Sequence, residues 1–233
     1  MLENVRNFER HDKGKTLQTV VGILRKLDYR VFHKVLNASE YGLPQNRARI
    51  FIVCLHKNTS VLNFSFPQPS KQICSLQDIL EYKPKDAKII NRPDIFMTKS
   101  FSPEKDIFGT IKLPNRPIQV GYVNKGGQGE RIYSPFGHAI TLSAYGGGAG
   151  AKTGLYLIDG EIRKLSPREC ARLQGFPDSF KIVSSLTQSY KQFGNSVAVN
   201  VLKAIIANIF ATGVFTDKGS QIVSELSKLS SHH

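Results

Sequence analysis

The 233 residues carry 32 Lys+Arg against 18 Asp+Glu, a formal net charge of +14, with 40% hydrophobic and 21% charged residues. Composition this ordinary excludes wholesale disorder and fibrous repeats, and the length suits one domain or two small ones with a buried core. The basic balance favours a polyanionic partner, because clustered Lys and Arg attract phosphates and release counterions, although basic chains are also common for solubility alone. Apolar stretches run about a dozen residues before a polar interruption, short of the roughly 20 needed to cross a bilayer, so no transmembrane helix is expected. The opening MLENVRNFERHDKGK lacks the apolar middle of a signal peptide, which points to the cytoplasm. Cys54, Cys74 and Cys170 are scattered, with no CxxC pair and no His at ligand spacing, so reduced cysteines are expected rather than a disulfide frame or a metal site.

In chain order, TLQTVVGILRKLDY at 16–29 sets Leu17, Val20, Val21, Leu24 and Leu27 on one helical face, with Lys and Arg elsewhere. RVFHKVLNA at 30–38 leads into a loop at SEYGLPQNR and then ARIFIVCLH at 48–56, whose β-branched run predicts a buried strand. This is α/β texture. From 57 to 120, Pro67, Pro69, Pro84, Pro93, Pro103, Pro114 and Pro117 break up any long element, and a connecting region that opens a second domain is expected. Eleven of the nineteen glycines fall between Gly121 and Gly160, interleaved with the β-type segments RIYS, AITLSAY and GLYLIDGEIRKL, the last with a hairpin turn at Asp159-Gly160. Two readings stand side by side: tight turns in a small β domain, or loops whose missing Cβ atoms let the backbone approach a ligand. Ser166 as N-cap, Pro167 at the first helical position, Glu169 closing a capping box and Gly175 as terminator predict a short helix. A second short helix is expected over LTQSYKQF, then an apolar final helix at 197–211 that must be covered by protein, then a polar tail from Gly219 that frays.

Four separated segments share the order and spacing of a known motif set: Glu3-Asn4-Val5, Gln45-Asn46-Arg47-Ala48-Arg49, RKLSPRECARLQGFPDSF from Arg163, and YKQFGNSVAVNV from Tyr190. With a Gly-rich variable region between the second and third, the chain resembles the DNA cytosine-5 methyltransferases over nearly its whole length. KGGQGERIYS from Lys125 and ITLSAYGGG from Ile140 are similar to the variable region of members that modify GCGC. The resemblance implies an α/β fold: a partial Rossmann-like methyltransferase sheet with a small, mostly β, Gly-rich target-recognition domain. It implies residues 1–77 as the C-terminal part of a catalytic domain, 78–165 as the target-recognition domain, and 166–233 as a hinge helix and return to the catalytic domain. S-adenosylmethionine follows as cofactor, its pocket only partly supplied by this chain, and double-stranded DNA containing GCGC as partner.

The family's Gly-rich cofactor loop and Pro-Cys nucleophile precede its Glu-Asn-Val motif, and none of the three cysteines here follows a proline. The chain is therefore expected to be the C-terminal, target-recognising part of a split or interrupted enzyme, inactive without a complementing N-terminal chain. The alternatives are a DNA-binding module without chemistry and the remnant of a disrupted gene.

Family chemistry adds a cysteine thiolate to cytosine C6 and passes the methyl group to C5, and a carboxyl group on N3 stabilises the charge that develops there. Glu3 matches that carboxyl, beside Asn4, and Arg49 matches the arginine on cytosine O2, with Gln45 and Arg47 in support. The base must leave the stack to react. Gln128, between Gly127 and Gly129, resembles the residue that enters the duplex opposite the orphaned guanine. Arg131 resembles a guanine reader, Tyr145 with the following glycines, Gly147 among them, a second recognition loop, and Thr141 and Ser143 aids at phosphate or base edges. Asn195 and Ser196 match the turn beside the cofactor. Read without the resemblance, Glu3 is an ordinary exposed residue, Arg49 a strand-edge arginine, Gln128 a solvated residue in a glycine turn, and Tyr145 a packing residue.

Overall fold

The computed structural model describes residues 1–59, 61–70, 74–98, 101, 103 and 113–215, so the expected fraying from Gly219 lies outside the described residues. The chain forms two compact units, one of Met1–Leu36, Arg49–Gln68 and Leu202–His233 as far as described, the other of Asn37–Ala48 and Pro69–Val201.

In the first unit β1 (Leu2–Val5) pairs antiparallel with β3 (Ala48–His56), Leu2 opposite Ile52 and Val5 opposite Arg49. The strand order is β1-β3-β2, with β2 at Tyr29–Asn37. Ile50, Phe51, Ile52 and Val53 are all buried, so β3 is covered on both faces, as an unbroken apolar run requires. Helix α1 (Lys15–Lys26) lays Leu17 and Val21 on Ile50 and Ile52, with Leu24, Val31, Val35 and Cys54 packed around them. It stops three residues before the expected end. Asp28 adopts left-handed backbone at φ 60°, and Lys57 bonds both its carbonyl (N to O, 2.8 Å) and its carboxylate (Nζ to Oδ1, 2.7 Å). Leu27 therefore caps the helix in solvent, 58% exposed, instead of extending its apolar face.

The second unit holds a five-stranded sheet in the order β4 (Ile95–Met97), β5 (Gln119–Val123), β6 (Arg131–Tyr133), β7 (Leu155–Ile158), β8 (Glu161–Arg163). Only β6 and β7 run parallel; the other neighbours are antiparallel. Alternation divides its side chains between two cores: Ile132 and Leu155 join Ile90, Ile118, Val120 and Val123, while Tyr133 and Tyr156 join Leu76, Leu142, Leu165, Leu173 and Phe193. The β7–β8 hairpin turns at Asp159 (φ 52°) and Gly160 (φ 82°), the backbone that an Asp-Gly pair favours. AITLSAY, in contrast, is no strand of this sheet. Its backbone is taken by the Pro44–Arg47 loop: Ala139 N donates to Pro44 O at 2.7 Å and Asn46 N to Ala139 O at 3.0 Å.

Helix α2 (Pro167–Leu173) has the expected capping box, Glu169 N donating to Ser166 Oγ and Ser166 N to Glu169 Oε2. The fully buried Glu169 carboxylate also accepts two bonds from Arg163, at 2.8 and 2.7 Å, and one from Glu81 N at 3.0 Å. The cap is thereby the fastening point between α2 and β8. Helices α3 (Leu186–Asn195) and α4 (Val199–Ala211) follow. Leu186–Ala211 is 26 residues long and apolar enough to cross a membrane by length and composition, but Ser196 is extended (φ −72°, ψ 156°) and divides it. The pieces are about 15 and 20 Å long, short of the roughly 30 Å of a bilayer core. The final helix is covered on one face only: Val201 and Ile205 are buried, while Ile206 and Phe210 are exposed.

Candidate functional site

In the second unit the Pro44–Arg47 loop acts as a clip. Gln45 and Arg47 are buried, at 0% and 3% exposure, where a polar group without partners costs about 1–3 kcal/mol. Gln45 accepts from Leu142 N at 3.1 Å and donates to Leu173 O at 3.0 Å and Gln174 Oε1 at 3.4 Å. Arg47 donates to Leu142 O at 2.9 Å from one guanidinium nitrogen, and to Gly194 O at 3.1 Å and Ser196 O at 2.8 Å from another. Together they bind the segment around Leu142 to the turn at 194–196. Gly194 makes the contact close: a Cβ there would lie 2.3 Å from Ala144 N and Ser143 C, so only glycine fits.

Five sequence-predicted residues, Gln128, Thr141, Ser143, Tyr145 and Gly147, line one cavity of about 280 Å³. They come from two glycine-rich loops in backbone contact, Gly150 N donating to Gly129 O at 2.7 Å. Glu130 shapes the first loop, its carboxylate accepting from Asn124 Nδ2 and Gly127 N, both at 2.8 Å. Those bonds, the Asn124 one first, hold its carboxyl below the usual range. Gln128 is exposed and makes no side-chain hydrogen bond among the described residues. Tyr145 is 72% exposed, with Lys191 Nζ 5.4 Å from its ring centre. Ser143 Oγ donates to Tyr145 O at 2.6 Å and Thr141 Oγ1 to Asn46 O at 2.5 Å, so both hydroxyls can only accept from a ligand. Arg131 lies on β6 opposite Tyr122 and does not line the cavity; its Nε donates to Gly126 O at 3.4 Å. At the end of α3, Asn195 is exposed with no side-chain partner among the described residues, and Ser196 Oγ donates to Phe193 O at 3.0 Å.

In the first unit Glu3 and Arg49 sit diagonally on neighbouring strands, a spacing at which long side chains meet. Arg49 Nε lies 3.3 Å from Glu3 Oε1, with the side chains 16% and 23% exposed. Burial lowers the Arg49 pKa, and the Glu3 charge opposes that shift. The pair sets a carboxyl group beside fixed N–H donors in a half-dry place. Asn4 is exposed, its Oδ1 accepting from Val5 N at 2.8 Å.

The cysteines offer no ready thiolate. Burial first, and Asp78 second, push the Cys74 thiol up to about 11. Burial raises Cys170 well above its ordinary value and raises half-buried Cys54 as well. Among the described residues no cluster of three His, Cys, Asp or Glu is placed to hold a metal ion.

Two members of this network were not anticipated. Asn37 accepts from Arg47 N at 2.8 Å and donates to Asn46 Oδ1 at 2.9 Å. Buried Gln174 donates to Phe193 O at 2.7 Å. Their one signal is an amide directly after a leucine, Leu36 before Asn37 and Leu173 before Gln174.

The profile of the C-5 cytosine-specific DNA methylases matches residues 1–211. The chain is 48% identical over 209 residues to the Type II methyltransferase M.HhaI of Haemophilus parahaemolyticus, covering 89% of this chain and 62% of that protein. It is 40% identical over 215 residues to the Type II methyltransferase M.HpaII of Haemophilus parainfluenzae, covering 87% and 57%. It thus spans about six-tenths of the length of these relatives. Among solved structures, a mutant of Spodoptera frugiperda DNMT2 superposes with a TM-score of 0.61 at 15% identity, covering 89% of this chain and 65% of that one. The Entamoeba histolytica methyltransferase EhMeth gives 0.58 at 17% identity, covering 92% and 61%. At such identities these two share the fold.

Proposed function

Because the chain belongs to the C-5 cytosine-specific DNA methylase family, we propose that it is the C-terminal, target-recognising part of a Type II enzyme that moves a methyl group from S-adenosylmethionine to cytosine C5 of double-stranded GCGC in the bacterial cytoplasm. The observation that carries this reading is the meeting of Gln128, Thr141, Ser143, Tyr145 and Gly147 on one cavity. Gln128, uncommitted in its loop, enters the duplex and pairs with the guanine left by the flipped cytosine. Arg131 reads a guanine edge with its fork, Tyr145 offers an exposed ring, Thr141 and Ser143 accept, and Gly147 allows the backbone to come close. Residues 78–165 serve as the recognition domain, hung on the capped helix from Ser166.

Glu3 bonds the N3 edge of the flipped cytosine and Arg49 donates to O2, drawing density away from C6. Gln45 and Arg47 serve in support, holding the segment around Leu142 to the turn at 194–196. S-adenosylmethionine supplies the electrophilic methyl group; the free amide of Asn195 suits a polar contact to it, and Ser196 keeps an acceptor oxygen. With every thiol here raised by burial, the attacking thiolate and the Gly-rich cofactor loop are supplied by residues outside this sequence.

The test is transfer of labelled methyl to a GCGC duplex by these 233 residues, alone and mixed with a fragment carrying the Gly-rich loop and Pro-Cys. Methylation is expected in the mixture alone. Transfer by the chain alone overturns the division of chemistry, and equal transfer to GCAC overturns the target.

A further inference from the structure

Lys152, which lines the cavity, has two lysines from separate segments near it, Lys164 and Lys88. Lys164, just after β8, donates from its backbone N to Lys88 O at 3.0 Å, so the two lie side by side. Its Nζ reaches across to Ala151 O at 3.0 Å, next to Lys152, which itself lines the cavity. No carboxylate among the described residues forms an ion pair with any of the three. Half-buried Lys164 has its pKa lowered by burial first and then by the charges of Lys88 and Lys152. Lys152 also holds left-handed backbone, at φ 77°, a strained state for any residue but glycine or Asn/Asp. Repulsion and backbone strain therefore coincide at one place, and no carboxylate among the described residues offsets the repulsion. An anion would offset the repulsion.

We propose that Lys88, Lys152 and Lys164 form a clamp for a backbone phosphate of the nucleic acid whose bases enter the neighbouring cavity. The clamp rests on the DNA reading above and adds to it a sequence-independent grip. Lys164 spends one donor on Ala151 O and keeps two, and Lys152 and Lys88 bring three each, enough to surround a phosphodiester. Such a contact fixes register and carries no base information.

The experiment is a salt titration of binding, with the full chain, to a GCGC duplex and to a duplex of scrambled sequence. Lys88→Gln, Lys152→Gln and Lys164→Gln are each expected to weaken both duplexes by the same factor and to reduce the slope of log K against log salt, and the triple variant, which gives up the whole contact to one phosphate, should reduce it by about 0.9. Lys152→Arg should restore the slope. Lys152→Gly separates this role from a structural one: relief of the left-handed backbone should raise the melting temperature while binding weakens. A folded triple Gln variant with the wild-type slope and affinity overturns the clamp. Inorganic phosphate is titrated in parallel. If the wild-type chain binds phosphate through these lysines but neither duplex, the DNA reading fails together with the clamp's assignment to nucleic acid; if it binds duplex with an unchanged slope in all variants, the clamp alone fails.

Discussion

Replacing Gly194 with alanine would place a methyl group 2.3 Å from Ala144 N and Ser143 C and 2.5 Å from Ser143 O. Ordinary contact begins near 3.4 Å, so the end of α3 or the Ser143 backbone must move by about 1 Å. All three obstructing atoms are backbone, and no side-chain rotation relieves them. Movement is also resisted from both sides, because Arg47 holds Leu142 O at 2.9 Å and Gly194 O at 3.1 Å with one guanidinium. Overpacking costs about 1–3 kcal/mol, and stretching one of these buried bonds past 3.5 Å adds about 1–2 kcal/mol. The better helix propensity of alanine returns about 1 kcal/mol. The net expectation is a loss of about 1–4 kcal/mol, or about 2–16 °C in melting temperature for a chain of this size. Urea unfolding checks it: the midpoint should fall with little change in slope. A midpoint equal to or above wild type would refute the close approach and, with it, the idea that the Leu142 segment and the 194–196 turn are held as one piece.

Three other perturbations have defined outcomes. Glu169→Gln leaves the buried Arg163 guanidinium, 5% exposed, without its counter-charge and should cost about 3–5 kcal/mol in urea unfolding, with much of it recovered in the double variant Arg163→Met with Glu169→Gln, which removes the orphaned charge and keeps an amide oxygen for the Ser166 N–H; a loss under about 1 kcal/mol counts against the anchor. Burial lowers the pKa of His138, whose Nδ1 has no hydrogen-bond partner among the described residues, so the folded state disfavours the charged ring while the unfolded chain gains a proton below about 6.5. Its contribution is therefore complete above that pH and is lost as pH falls through the depressed folded value, and His138→Gln should flatten the stability difference between pH 7 and pH 5; identical pH slopes would refute it. In a reconstituted enzyme Arg49→Lys keeps the charge but loses the fork, and single-turnover methyl transfer should slow by about 100-fold or more without matching loss of DNA binding; a wild-type rate would remove Arg49 from the chemistry.

What the sequence by itself determined are the features whose causes lie within a few residues of each other. The β-branched run at 48–56 is a strand with the expected ends, the Asp159-Gly160 pair makes its turn, and Ser166 and Glu169 close their box. Each depends on local backbone preference or on a bond to a neighbour three residues away. The helical period at 16–29 beside the unbroken apolar run at 48–56 also announces the mixed α/β class, because burial of a helix face or of a whole strand leaves its own pattern in the sequence.

Tertiary structure alone decided the rest. AITLSAY has the composition of a strand, yet Pro44–Arg47, about 95 residues earlier, claims its backbone and leaves it outside the sheet. The buried amides of Gln45 and Gln174 look like surface residues in sequence, and their partners lie across separations of up to 129 residues. Helix α1 ends where Asp28 turns to meet Lys57, 29 residues on. The crowding of Lys88, Lys152 and Lys164 has no counterpart in their spacing along the chain. Local preference acts through bonds and rotamers of adjacent residues, whereas a buried polar group takes whichever partner the packed backbone delivers, and that pairing exists only once the chain has closed on itself.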